Sequence, residues 1–257
     1  MKKIMSIVLM AMMILTLAGC GKGEGESAAP GQGTSEGKKV IVMGTNAEFP
    51  PFEYREGEKV VGFDVEIAKK IAEKLGAELE IEDMSFDGLI PALEAGKIDF
   101  IVAGMSITED RKKNVDFSKG YYTASQVIIT LKDNTEIKGP EDLKNKTIGV
   151  QLGTTGDEEA QKVEGAQVIQ FNAAYAAIMD LQNGKLDAVV LDYEPARNFA
   201  SQNDKIQILP VELTQEEYAI AVKKGNKELI DAINAVLEEM KESGEYDSLV
   251  NEYFAKE

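Results

Sequence analysis

The stretch Ala103-Gly104-Met105-Ser106-Ile107-Thr108-Glu109-Asp110-Arg111 follows an apolar run, Ile98 to Val102, that reads as a buried strand. A strand that ends in a glycine, two hydroxyls and an arginine is not closing a core. A guanidinium can grip a carboxylate through two parallel hydrogen bonds, and hydroxyls or amides complete the shell. Three further stretches follow strands and carry residues that look wasted in a core. They are Thr45 to Glu53, with Asn46, Glu48, Phe49 and Phe52; the segment around Phe86; and Gln151 to Asp157, with Gly153, Thr154 and Thr155. Asp192 adds a carboxylate at the end of another apolar run. Together these supply what a free amino acid needs: Arg111 for its carboxylate, Asp192 for its ammonium, and an aromatic slot from Phe49 and Phe86 for its side chain. Charge-assisted hydrogen bonds contribute roughly 1.5–3 kcal/mol each. A few of them support binding near micromolar, about −8 kcal/mol.

Each residue also has a plainer reading. Ser106 or Thr108 can cap a short helix with Glu109 completing a capping box. Arg111 can be a surface arginine, and Phe49 and Phe52, beside two prolines, a rigid turn packed on the core. Gly153 to Gly156 can cradle a phosphate at a helix N-terminus, although the lysine-terminated P-loop spacing is absent. Asp192 can be only an N-cap.

Composition narrows the chemistry further. The chain has no histidine, which removes Ser-His-Asp and Cys-His catalysis and the usual zinc sites. With 28 basic against 45 acidic residues the formal charge is −17, which repels nucleic acid and anionic lipid headgroups. No metal and no cofactor is expected.

The elements that must position these groups alternate. Val40 to Gly44 reads as a strand, and Phe63 to Leu75 as a helix with Val65, Ile67, Ala68, Ile71, Ala72 and Leu75 on one face and Gly76 as its stop. Leu79 to Ile81 is a brief strand. Asp87 to Leu93 reads as a helix with Pro91 in or near its first turn, where proline is tolerated. A second series follows: strand Thr147 to Val150, helix Thr154 to Lys162, strand Val168 to Gln170, helix Ala173 to Gln182, strand Ala188 to Leu191, helix Pro195 to Ser201. Strands alternating with helices predict an α/β protein with largely parallel sheets. The text "LEAGKIDFIVAG" (Leu93 to Gly104) is echoed by "LQNGKLDAVVLD" (Leu181 to Asp192), which suggests two lobes of similar build. In open α/β sheets ligands sit at the carboxyl ends of the strands.

The N-terminus has its own signature. Met1-Lys2-Lys3 precedes an apolar run from Ile4 to Leu17, then Leu17-Ala18-Gly19-Cys20. This is an export signal too short for a comfortable membrane span. Its end matches the lipobox of bacterial lipoproteins, and Cys20, the only cysteine, sits where lipidation needs it. Gly21 to Gly37 is nearly devoid of apolar residues and reads as a flexible tether.

From about Lys39 onward the sequence resembles the polar amino-acid solute-binding proteins of ABC importers, the bacterial extracellular solute-binding proteins of family 3. The matching text is "GTNAEFPPFEY", "GFDVEIAKKIAEKLG", "FDGLIPALEAGKIDFIVAGMSITEDRKKNVDFSKGYY", "IGVQLGTTGD" and "LDAVVLDYEPA". The resemblance implies a two-lobe periplasmic-binding-protein fold of type II, each lobe a mostly parallel sheet flanked by helices, joined by two hinge strands. The implied division is a signal peptide at 1–19, a tether at 20–38, a first lobe at 39–126 and 218–257, and a second at 127–217. The crossings would lie near Ser125 to Ile129 and Glu217 to Ala221.

It implies Arg111, Ser106 and Thr155 as carboxylate ligands, the Gly104 carbonyl and Asp192 as ammonium ligands, and Phe49 and Phe86 as walls. Asn46, Met105, Gln151 and Thr154 complete the candidate set. One departure matters: many members, particularly binders of basic amino acids, have Asp where this chain has Asn46. That favours an uncharged polar ligand such as glutamine over arginine, lysine or cystine, although Glu48 or Glu53 could substitute for the missing charge.

The expected protein is a non-enzymatic, monomeric lipoprotein. It is anchored by lipid to the outside of the membrane of a bacterium lacking an outer membrane, where it delivers an amino acid to ABC permease subunits. Two rivals stand beside this reading. One is a cleft enzyme resembling cyclohexadienyl dehydratases, with Glu48 or Asp192 as general acid; the other is a ligand-sensing receptor domain.

Overall fold

A computed structural model describes residues 39–255; the expected signal peptide, lipobox Cys20 and tether lie outside the described residues. The first elements are β1 (Lys39–Thr45) and a three-stranded antiparallel ribbon of β2 (Glu48–Phe49), β3 (Glu53–Glu56) and β4 (Lys59–Val61). Next come α1 (Phe63–Lys74), β5 (Ala77–Asp83), α2 (Leu89–Glu94), β6 (Phe100–Ile101), β7 (Val115–Phe117) and β8 (Tyr122–Ala124). The apolar face read for α1 is the buried one, with Val65, Ile67, Ala68, Ile71 and Ala72 all in the core. The helix expected from Asp87 begins instead as a 3-10 turn at Phe86–Gly88, so Pro91 falls at the third position of α2, inside its first turn.

The chain then builds β9 (Gln126–Leu131), β10 (Thr147–Gln151), α3 (Thr155–Gln161), β11 (Gln167–Phe171), α4 (Ala174–Gln182), β12 (Ala188–Asp192), α5 (Tyr193–Ser201) and β13 (Ile206–Glu212). It closes with β14 (Glu216–Tyr218), β15 (Ala221–Lys223), α6 (Lys227–Ser243) and α7 (Glu245–Phe254). Asn226 caps the start of α6 by accepting from the Leu229 amide at 3.3 Å, and Gly244 ends it in the left-handed conformation, turning the chain into α7.

Two five-stranded sheets result, ordered β5-β1-β6-β15-β7 and β11-β10-β12-β9-β13. In each, the strand second from one edge runs against all the others. That strand is β15 in the first sheet and β9 in the second, and each is the one the chain enters on arriving from the other sheet. The two passages run side by side as the antiparallel pair β8–β14.

The sequence echo is a structural repeat. Gly96 and Gly184 both adopt φ +69° at the ends of their helices, a conformation a side chain resists. Three residues later Asp99 and Asp187 do the same work. Asp99 accepts from the Val42 amide at 2.8 Å and donates its own amide to the Val42 carbonyl. Asp187 treats Thr147 in the same way, at 2.7 Å. Each aspartate thereby ties the strand that follows it to its parallel neighbour, β1 in one sheet and β10 in the other. The repeat places Gly104 just beyond, and Asp192 at, the carboxyl ends of corresponding strands.

The core runs through both sheets. Phe52 lies at its centre, fully buried, with Tyr122, Phe254 and Tyr218 edge-on to it at 4.9, 5.1 and 5.2 Å between ring centroids. Phe52 therefore packs as core, whereas its neighbour Phe49 reaches the cleft.

Candidate functional site

Residues at or beyond the carboxyl ends of β1, β5 and β6 in one sheet, and of β10 and β12 in the other, converge on one narrow cleft. Asn46, Phe49, Phe86, Gly104, Ser106, Arg111, Gln151, Thr154, Thr155 and Asp192 line it, together with Glu53 and Ala103. Met105 is the candidate that does not: it is 1% exposed and packs with Leu89, Leu93 and Val115 in the core. The chain bends at Ala103–Gly104, with Gly104 at φ +52°, and this turn leaves Met105 facing the core between two residues that line the cleft.

Arg111 is no surface arginine. It is 7% exposed, and its guanidinium donates to the Ser106 carbonyl at 2.7 Å and across the cleft to the Gly153 carbonyl at 3.0 Å. Its carbon centre stands 5.3 Å from the Phe86 ring centroid, a cation–π distance. Burial pulls its pKa down, opposed by the nearby charges of Glu158, Glu216 and Asp192. Thr108 holds the turn that carries it, accepting from the Arg111 amide at 3.2 Å, while Glu109 pairs with Lys112 instead of closing a capping box. Ser106 takes no part in the capping.

Asp192 occupies the N-cap position of α5 but makes no capping hydrogen bond. Its carboxylate accepts instead from the Tyr218 hydroxyl. Burial raises its pKa to about 7, against the pull of the Tyr218 hydrogen bond and of Arg111. Thr154 does cap α3, accepting from the Asp157 amide at 3.2 Å. Thr155 accepts from Gln126 at 3.0 Å.

The floor and walls are held from behind. Gly104 has φ +52°, and a Cβ there would stand 2.9 Å from the Phe49 ring. Asp64, itself buried, accepts the Gly104 amide at 2.9 Å and the Tyr121 hydroxyl at 2.7 Å. Its pKa rises to about 6, from burial against these hydrogen bonds, and the neighbouring Glu53 is raised well above the carboxylate range by burial and by Asp64. Asn46 donates to the Met84 carbonyl at 2.9 Å and accepts from Gln151 at 2.8 Å, so the two amides join the sides of the cleft.

Sequence reading missed Tyr218, Glu216 and Gln126, which touch Asp192, Ser106 and Thr155. They lie on or beside the crossing strands, whose short pairing leaves no periodic signal. Among the described residues no cluster of three or more His, Cys, Asp or Glu could hold a metal ion, and no helix is long and apolar enough to cross a membrane.

Two α/β units built to one plan, facing each other across a cleft with a buried cation and acid, form a device for holding a small solute. The chain belongs to the bacterial extracellular solute-binding proteins, family 3, whose family model matches residues 41–256. The arginine-binding extracellular protein ArtP of Bacillus subtilis is 36% identical, covering 100% of both chains. Among solved structures, a mutant of the arginine-binding protein of T. maritima is 48% identical with a TM-score of 0.82, covering 84% of this chain and 96% of that one. An ancestral arginine-binding protein bound to glutamine is 45% identical with a TM-score of 0.82, covering 86% and 100%.

Proposed function

We propose that this protein captures free L-arginine outside the cell and presents it to the permease of an ABC importer. The observation that carries the reading is the buried pair of opposite charges in one cleft, Arg111 and Asp192. Arg111 takes the ligand carboxylate with Ser106 and Thr155; Asp192 and the Gly104 carbonyl take the ammonium. Phe49 and Phe86 enclose the side chain, where aromatic faces favour a cation. Arginine is preferred here over the glutamine that Asn46 alone suggests, because ArtP, similar along the whole chain, and the T. maritima protein are named for arginine. Glutamine is kept as the second reading on the amide pair Asn46–Gln151 and the glutamine-bound relative.

In this reading 39–126 with 218–257 form one lobe and 127–217 the other, the crossing strands β8 and β14 acting as hinge. The protein works as a monomer, tethered through lipidated Cys20 to the outer face of the membrane. Calorimetry against the twenty amino acids and cystine tests the ligand: L-arginine should bind at micromolar concentration or tighter and outrank glutamine. A ranking with no basic amino acid near the top would overturn it.

A further inference from the structure

Glu216 lies on β14, one of the two crossing strands, and is half-buried. Its Oε2 accepts from the Ser106 hydroxyl and from the Thr155 hydroxyl, the latter at 2.7 Å; its Oε1 accepts from the Thr214 hydroxyl at 2.6 Å. Ser106 follows β6 of the first sheet and Thr155 opens α3 against the second, so one carboxylate oxygen joins both sides of the cleft. Thr155 also accepts from Gln126 at 3.0 Å, which aims its single proton at Glu216. Arg111 feels the Glu216 charge.

A carboxylate held by Ser106, Thr155 and the field of Arg111 is in the setting assigned above to the carboxylate of the ligand. A hydroxyl has one proton and cannot give it to two carboxylates at once. We propose that Glu216 is an internal competitor of the ligand carboxylate: it latches the two sides together through Ser106 and Thr155, and the ligand must displace it. Glu216 thereby lowers affinity and biases the unliganded cleft part-way toward the closed arrangement, which the ligand completes. Thr214 holds the displaced side chain near the hinge, so release needs only a rotation of the carboxylate.

The inference rests on the proposed ligand roles of Ser106 and Thr155, and the wild-type protein separates the two questions. If wild type binds no amino acid, the proposed function fails first. Given wild-type binding, Glu216→Gln and Glu216→Ala are compared with it by calorimetry with L-arginine or whichever amino acid ranks first. Both should bind more tightly by roughly tenfold, about the worth of one charge-assisted hydrogen bond. Agmatine, which lacks the carboxylate, should not gain. Small-angle scattering without added amino acid should show both variants more expanded than wild type. Equal or weaker binding of the amino acid would overturn the proposal; weaker binding would place Glu216 on the ammonium instead. An equal gain for agmatine would also overturn it, because the effect would then not pass through the carboxylate.

Discussion

Arg111 is a cation that folding has taken almost wholly out of water, and its two terminal nitrogens meet carbonyl oxygens rather than carboxylates. Such a charge is costly to bury unless something pairs with it. A ligand carboxylate offers that pairing, through a planar fork that lysine cannot present. Arg111→Lys is therefore expected to weaken binding by about 2 kcal/mol, roughly 30-fold, read by calorimetry. Asp192 adds a pH dependence. With its pKa raised to about 7, the unliganded carboxyl takes up a proton as pH falls through that value. An ammonium needs the ionised form, so binding must expel the proton, and affinity should decline toward about tenfold per unit below pH 7. Calorimetry at pH 6 in buffers of different ionisation enthalpy should register that proton release, and Asp192→Asn should abolish it along with most of the affinity.

At the scale of elements, each functional group is placed by the carboxyl end of a strand, and the supports lie behind it. Gly104 lets the chain turn with φ +52° against the Phe49 ring. Gly104→Ala should shift that ring and cost binding several-fold, with the melting temperature separating local strain from unfolding. Phe52 is the centre of the aromatic cluster that ties the ribbon to β8, β14 and α7. Phe52→Ala should lower stability by about 3–5 kcal/mol in urea unfolding. Much of this framework was legible in the sequence. The helical face of α1, the alternation of strand and helix, and the echo around Asp99 and Asp187 all arise from local periodicity. So was α6, since Ile233, Val236, Leu237 and Met240 recur at helical spacing between Asn226 and Gly244; a reading led by chemistry-bearing residues passes over it. The ribbon strands and the β8–β14 pair, two to four residues long, are too short for a period to register. Glu216 and Tyr218 were hidden for that reason. A motif names every residue in a segment, Met105 included, while the turn at Gly104 sends Met105 into the core, away from the cleft.

For the whole molecule, the cleft is a property of two sheets and belongs to neither alone. Arg111 follows the first sheet; Thr155 and Asp192 belong with the second. Ligand contacts that span both sides exist only when the sides are together, so binding favours closure by that difference. The direct bonds Gln151–Asn46 and Arg111–Gly153 already cross the cleft and must part to admit a ligand. Lipidation at Cys20 would hold this device at the membrane, and Cys20→Ser should release the protein into the medium or leave it unprocessed, as fractionation and immunoblotting would reveal. The most direct test is small-angle scattering with and without L-arginine, beside calorimetry, for wild type and Arg111→Ala. Wild type should bind and become more compact on saturation, whereas Arg111→Ala should lose both binding and compaction. Binding and closure in Arg111→Ala equal to wild type would show that Arg111 is not the carboxylate clamp.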